Sequence, residues 1–306
     1  MKTKNSGSFD LSKISDMLAP FRLRKSESRS GFLANQLNAS KAFTSAYSLF
    51  FIISLQKGRL KGLVSGSILT YKPQTMNSNS EEVPIKNAAT VVIRREIEGK
   101  PYVLMGQRGK DAVFMPNKFV FPGGAIDQQD HEVRLAFELE EDLFNNLIVS
   151  AKEIEPRAII AGAIREVWEE TGLRIVGKVK TSGDTNLELS QWKSFSATGF
   201  LPNPAGLEFF FRAITPPGRP RRFDARFLIC NSDEISGNLD DFSHASTELS
   251  HLQWIDLNLI NQLELPFITE IVLAEVASRE ERGRHPEGIP FFDYSKENSQ
   301  ISFIKA

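Results

Sequence analysis

A chain of 306 residues with a single cysteine, Cys230, can form no internal disulfide and no zinc site built on several thiolates. That scarcity fits a reducing compartment. Histidine is nearly as scarce, and His131, His244, His251 and His285 show no metal-ligand spacing. Long apolar runs are missing as well. The longest near the N-terminus, "AYSLFFIISL" from Ala46 to Leu55, has ten residues. A membrane-spanning helix needs about 20, and this run lies too deep for a secretory signal. No internal repeat is found.

The first 75 residues lack acid: 3 Asp/Glu stand against 12 Lys/Arg, a charge of +9, while the remainder holds 35 against 25, or −10. An acidic body argues against nucleic acid as the partner, because such proteins present basic patches to phosphates. The basic, serine-rich leader sustains neither a helical nor a strand period. It reads as a disordered or non-native extension over residues 1–83, with Met76 as the native start and a cytoplasmic body. The alternative is an organellar, mitochondrial transit peptide.

From Ala88 onward strands and turns alternate. "AATVVIRREIEGKPYVLMGQR" predicts a hairpin turning near Glu98 and Gly99, and "KFVFPGG" predicts a short strand ended by Pro122 and two glycines. Leu135, Leu139, Leu143 and Leu147, four apart, predict a helical segment. Pro156 suits the first turn of a further helix, and Gly172 a left-handed cap after Thr171. Strands are expected at "LEFFFRAI", "RRFDARFLI" and "LSHLQWIDL", followed by a helix near Leu257 to Ser278. The expected architecture is α/β (α+β), a mixed sheet between helices, with a body over 84–280 and a C-terminal tail over 281–306.

On the Pro156–Thr171 helix, Glu166, Glu169 and Glu170 stand at i, i+3 and i+4 and therefore share a face. Three carboxylates so close repel one another, and a hard divalent cation with oxygen ligands relieves that. Ile160, Ile164, Val167 and Trp168 would pack the other side on the sheet. Arg165 can reach Glu169 one turn on. Upstream, the glycines of "FPGGAID" let backbone come close to a metal or phosphate.

"REVWEETGL", Arg165 to Leu173, resembles the second half of the Nudix hydrolase signature GX5EX7REUXEEXGU at every fixed position, where U is a bulky aliphatic residue. Gly124 fits the leading glycine, but Asp130 stands where the first glutamate belongs, with Glu132 as an alternative. An uninterrupted motif would place its arginine at 138 instead of 165, so 27 residues intervene, as in a Nudix subgroup that includes coenzyme A diphosphatases. "LMGQRGKDAVFMPNKFVFPGG" partly resembles the coenzyme A motif. The resemblance runs from Ala88 to the C-terminal helix and leaves out the leader.

The resemblance implies a Nudix fold with a helical insert (131–157) and metal-dependent cleavage of a nucleoside diphosphate linked to another moiety, coenzyme A or acyl-CoA among the substrates. It implies Mg²⁺ or Mn²⁺ held by Glu169, Glu170, Glu166 and the Gly123 carbonyl. Glu166 is alternatively the base, and Arg165 orients a glutamate. Glu248, six residues before Trp254, would be the late catalytic or metal-binding glutamate, with Glu234 and Glu208 as competitors. Arg108, Arg222 and Arg226 are candidates for substrate phosphates. Phe121, with Phe114 and Phe119, is either core or a surface that stacks on a base. The insert is expected to be a helical hairpin turning at Asn145 and Asn146, shaping the pocket and a homodimer contact. A non-catalytic nucleotide sensor is the competing function, and such domains lose box glutamates that are intact here.

Overall fold

The β-branched run "AATVVIRRE" cannot stay half-exposed, and in the computed structural model it becomes the central strand of the molecule. The structure describes residues 83–110, 112, 115–150, 154–176, 190–263, 265–285, 287–293 and 300–305. The expectations for the leader, its apolar run, Met76 and Phe114 lie outside these residues.

Strand β1 (Ile85–Ile97) turns back into β2 (Lys100–Arg108) through Glu98 and Gly99, at φ 52° and 72°. This two-residue turn with both φ positive matches the twist of the strands. Strands β3 (Phe119–Val120) and β4 (Gly123–Ala125) flank Pro122. Two helices follow, α1 (Glu141–Ser150) and α2 (Pro156–Thr171). Next come β5 (Arg174–Ile175), the short α3 (Lys193–Ser196), β6 (Glu208–Ile214), β7 (Arg222–Asn231) and β8 (Ile235–Ser236). Strand β9 (Leu249–Asp256), α4 (Phe267–Arg282), β10 (Ile289–Asp293) and β11 (Gln300–Ile304) complete the fold.

Among the described residues the main sheet runs β11-β10-β6-β7-β1-β2-β3, with β4 paired to β1 and β9 to β2. It is mixed: β1 lies parallel to β7 and β10 parallel to β6, whereas the other pairs are antiparallel. β1 is buried on both faces. Ala89, Val91 and Ile93 pack with Ile160, Ile164 and Val167 of α2, while Val92 packs with Val272, Leu273 and Val276 of α4. Helices therefore cover both sides of the sheet, as the α+β expectation required. None of the described helices is long and apolar enough to cross a membrane.

Three expectations change. The turn expected at Asn145 and Asn146 is not there: both lie inside the helix Glu141–Ser150, the one α-helix among the described residues of the insert before α2. Val133 and Leu135 are buried instead from an irregular segment, whose Ala136 N–H donates to the Pro202 carbonyl. The C-terminal helix starts at Phe267, ten residues later than expected, behind Pro266 at its N-cap. A proline holds the residue before it out of the helical region, so Leu257–Gln262 forms a separate 3₁₀ turn. Residues 281–306 are no mere tail, since β10 and β11 extend the sheet beyond β6.

On α4, burial pushes the Glu275 carboxyl up to about 7 against the pull of Arg279 and Arg282. The fold thus favours its neutral form. That contribution to stability is complete below 4.5, the ordinary value, and is lost as pH rises toward 7. Glu275→Gln is expected to flatten the fall in Tm across this window. Thermal melts at a series of pH values check it, and identical slopes in the two proteins contradict it.

Candidate active site

The helix that carries the glutamates is fixed at both ends by its sequence. Pro156 occupies the first turn, where an N–H would have no helical partner. Gly172 caps the other end at φ 73°, its N–H donating to the Trp168 carbonyl at 2.8 Å. Only a residue tolerant of the left-handed region fits there. Strand β1 fixes the opposite wall. Its pairing with β4 sets Ala89 opposite Gly124 and Thr90 opposite Gly123, which lays the glycine turn against α2.

Arg165 is the hub between these walls. Its Nε and one terminal nitrogen donate to the two Asp130 oxygens at 2.9 and 3.1 Å. The other terminal nitrogen donates to Glu166 and Glu169, each at 3.0 Å, and a further bond reaches the Ala125 carbonyl. Burial opposes the guanidinium's charge, but Asp130, Glu166 and Glu169 outweigh it and raise its pKa. Asp130 is buried and also accepts from the Trp192 indole at 3.0 Å and from the Asp127 backbone at 2.8 Å. The aspartate in the place of the motif's first glutamate thus anchors Arg165. Glu132, its alternative, is exposed.

Trp192 and Gly162 belong to this anchorage and were not foreseen. A Cβ on Gly162 would press on Ile126 and the Asp130 carboxyl, so the glycine inside a helix is explained by close packing. An unbroken helical pattern containing a glycine was the available signal. Trp192 reaches Asp130 across 62 residues of sequence and left none.

The box glutamates sit in graded environments. Glu170 is 2% exposed and accepts the Gly123 N–H at 2.8 Å. Burial, then the charge of Glu166, raises its pKa well above the carboxylate range, with Glu248 adding to the rise. Burial likewise pushes Glu166 up to about 7, opposed by Arg165 and assisted by Glu169 and Glu248. Burial also raises Glu169, whose side chain is one-third exposed. Gly124 is a close approach: a Cβ there would overlap the Glu166 carboxyl. Gly124→Ala is expected to displace Glu166 and lower kcat at least tenfold with little change in Tm. Unchanged turnover would show that Glu166 has room to move.

Glu248 arrives by strand register. β2 and β9 pair Arg108 with Leu249, and the Ser246 N–H docks on the Glu169 carbonyl at 2.8 Å. Its charge reaches Glu166, Glu169 and Glu170 alike. Glu208 pairs instead with Arg279 and Arg284, and Glu234 lies by Gly206 and Cys230, so neither competitor joins the cluster.

The substrate candidates divide. Arg108 stands at the site, bonded to Glu248 at 2.9 Å. Arg222 and Arg226 are buried. Arg222 donates to the Thr215 carbonyl, and Arg226 donates to Asn87 and the Asp224 carbonyl. Phe121 is core, packed with Val92, Val103 and Met105, which leaves no face for stacking. A cleft of about 470 Å³ opens beside Arg165 and Glu166, lined also by Asn87, Asp127 and Gln128 and by His131 and Ile154 of the insert.

A hard divalent cation fits this donor set. Glu170 is a buried acid that accepts the Gly123 N–H, and Glu166 and Glu248 add repulsion that positive charge would relieve. Among the described residues, however, no three His, Cys, Asp or Glu side chains close around one point. Arg165 holds Glu166 and Glu169, Gly123 holds Glu170, and Arg108 holds Glu248.

No family model matches the chain. Nudix hydrolase 7 of Caenorhabditis elegans is 28% identical over 183 residues, a match covering 56% of this chain and 51% of that protein. The chain therefore spans about half the length of the curated relative it matches. Among solved structures, a Nudix hydrolase from Alicyclobacillus acidocaldarius is 27% identical, covering 64% of this chain and 92% of its own, with a TM-score of 0.47. The Nudix domain of Shewanella oneidensis NrtR, solved with ADP-ribose, is 13% identical over 69% of this chain and 94% of its own, with a TM-score of 0.38. With its Arg165–Leu173 motif on a capped helix against a glycine turn and this sequence match, the chain is similar to Nudix hydrolases.

Proposed function

We propose that the protein is a metal-dependent hydrolase that cleaves the diphosphate of a nucleoside diphosphate linked to another moiety, with coenzyme A or acyl-CoA as the leading substrate. The observation that carries this is the buried Glu170 beside Glu166, Glu169 and Glu248 against the Gly123–Gly124 turn. Mg²⁺ or Mn²⁺ would be held by Glu166, Glu169, Glu170, Glu248 and the Gly123 carbonyl, where it supplies charge neutralisation at the phosphates and a more acidic water. The protein's part is positional. Arg165, itself fixed by Asp130, holds Glu166 and Glu169 in place, and Arg108 offers donors to phosphate oxygens. Glu166 is alternatively the base that takes the proton of the attacking water on its carboxylate. The reducing compartment is the cytoplasm in this reading.

Release of product from a panel of diphosphates, coenzyme A included, with Mg²⁺ or Mn²⁺ against EDTA and with products identified by mass, tests the proposal. Turnover that survives EDTA, or no turnover on any substrate, overturns it. The second outcome would favour the nucleotide sensor, a function the intact box glutamates argue against. The exposed Phe137, Phe144, Ile148 and Val149 of the insert support a homodimer, which light scattering tests.

A further inference from the structure

The ion pair between Arg108 and Glu248 joins two side chains of unequal freedom. The Glu248 side chain is 55% exposed and that of Arg108 only 18%. Strand register sets them side by side, because Arg108 is paired with Leu249 and Glu248 precedes it. The pair uses one terminal nitrogen of Arg108, donating to Glu248 Oε1 at 2.9 Å. The Arg108 Nε is buried and has no hydrogen-bond partner among the described residues. A buried donor without an acceptor costs stability, and a ligand that brings an acceptor recovers that cost on binding. Arg108 also lies close enough for its charge to act on Glu170, at the centre of the box cluster.

We propose that Arg108 and Glu248 are an exchangeable pair. Arg108 holds the late glutamate until a diphosphate arrives, then turns its guanidinium onto the phosphate oxygens and releases Glu248 to the cation. This rests on the reading of the site as a metal-dependent diphosphate hydrolase. An ion pair so exposed on one side contributes little, so giving it up is cheap. A phosphate carries more charge than a carboxylate and can accept two parallel N–H bonds, which would also satisfy Nε. Binding of cation and diphosphate then become linked, each favouring the other through one arginine.

Two affinities, each measured with one ligand alone on the full chain, test the exchange. Glu248→Gln is expected to bind a non-hydrolysable methylene analogue of a nucleoside diphosphate in EDTA about 2- to 5-fold more tightly, because Arg108 is already released. Arg108→Gln is expected to bind Mn²⁺ tighter by a similar factor, because Glu248 is free. Plain loss of one charge would also raise these affinities through space, so the double variant decides. The Glu248→Gln gain must vanish when Arg108 is also Gln, and the Arg108→Gln gain must vanish when Glu248 is also Gln. Gains that persist in the double variant, or that fail to appear in the single ones, overturn the exchange. Arg108→Met replaces Arg108→Gln should the amide not fold. Hydrolysis by the wild type is scored separately. If diphosphates are turned over and the gains are absent, only the exchange is lost.

Discussion

Glu170→Gln is expected to lower kcat at least a hundredfold while leaving the metal-free protein as stable as the wild type or more so. The two effects have one cause. Glu170 is 2% exposed, and burial followed by the Glu166 charge drives its pKa well above the carboxylate range. Its neutral form is therefore favoured by the fold, and the stability this gives is lost as pH rises through its folded pKa. A glutamine keeps an oxygen for the Gly123 N–H at the same place, and it carries no charge to bury. The same neutrality removes a ligand from the proposed metal. A hundredfold loss corresponds to about 2.7 kcal/mol of transition-state stabilisation, within what metal-held charge commonly supplies. Glu169→Gln should cost similar activity without the stability gain, since its side chain is one-third exposed. Steady-state kinetics with saturating Mg²⁺ and melting in EDTA separate the two effects. Near-wild-type turnover in either variant would sink the metal-site assignment.

Local chemistry made much of this site legible. Pro156 and Gly172 mark the ends of the glutamate helix because each acts through its own backbone, one lacking an N–H and the other free to adopt φ 73°. The strands Glu208–Ile214 and Leu249–Asp256 fall within the runs rich in aromatic and β-branched residues that predicted them, and Arg222–Asn231 runs two residues past its own. What depends on distant partners was not legible. Asp130 and Glu132 both read as the first acid of the motif, since nothing near them in sequence announces Trp192 or Arg165 as partners of Asp130. Arg222 and Arg226 read as candidates for substrate phosphates. Burial on both faces of the sheet encloses them, which no period within the strand reveals. The strands β10 and β11 escaped notice because each is five residues long and has meaning only beside β6.

The insert misled for a different reason. A spacing of four is shared by a helix and by an irregular chain pinned at intervals, and Leu135 to Leu147 contains both. The alternation of Val133 and Leu135 was the signal that the first part is not helical, because residues two apart share a side only in an extended chain.

Removal of Glu132 to Glu155 is consequently expected to abolish folding, where a dispensable hairpin would have left a metal-binding protein. Val133, Leu135, Leu143, Leu147 and Ile154 belong to the same core cluster as Ala89, Val91 and Ile164, so the insert supplies part of the wall that holds the glutamate helix. Leu147 is fully buried, and Leu147→Ala alone should cost about 2–5 kcal/mol. Domains of ordinary stability have about 5–15 kcal/mol in total, so losing three such leucines exceeds what most could bear. The outer side of α1 is different. Ile148 is 48% exposed and Val149 53%, and Ile148→Ser should change stability by no more than about 0.5 kcal/mol. Urea denaturation of the deletion and the two point variants checks the contrast. A deletion that still melts cooperatively, or a Leu147→Ala protein as stable as the Ile148→Ser one, would mean that α1 rests on the body without supporting it.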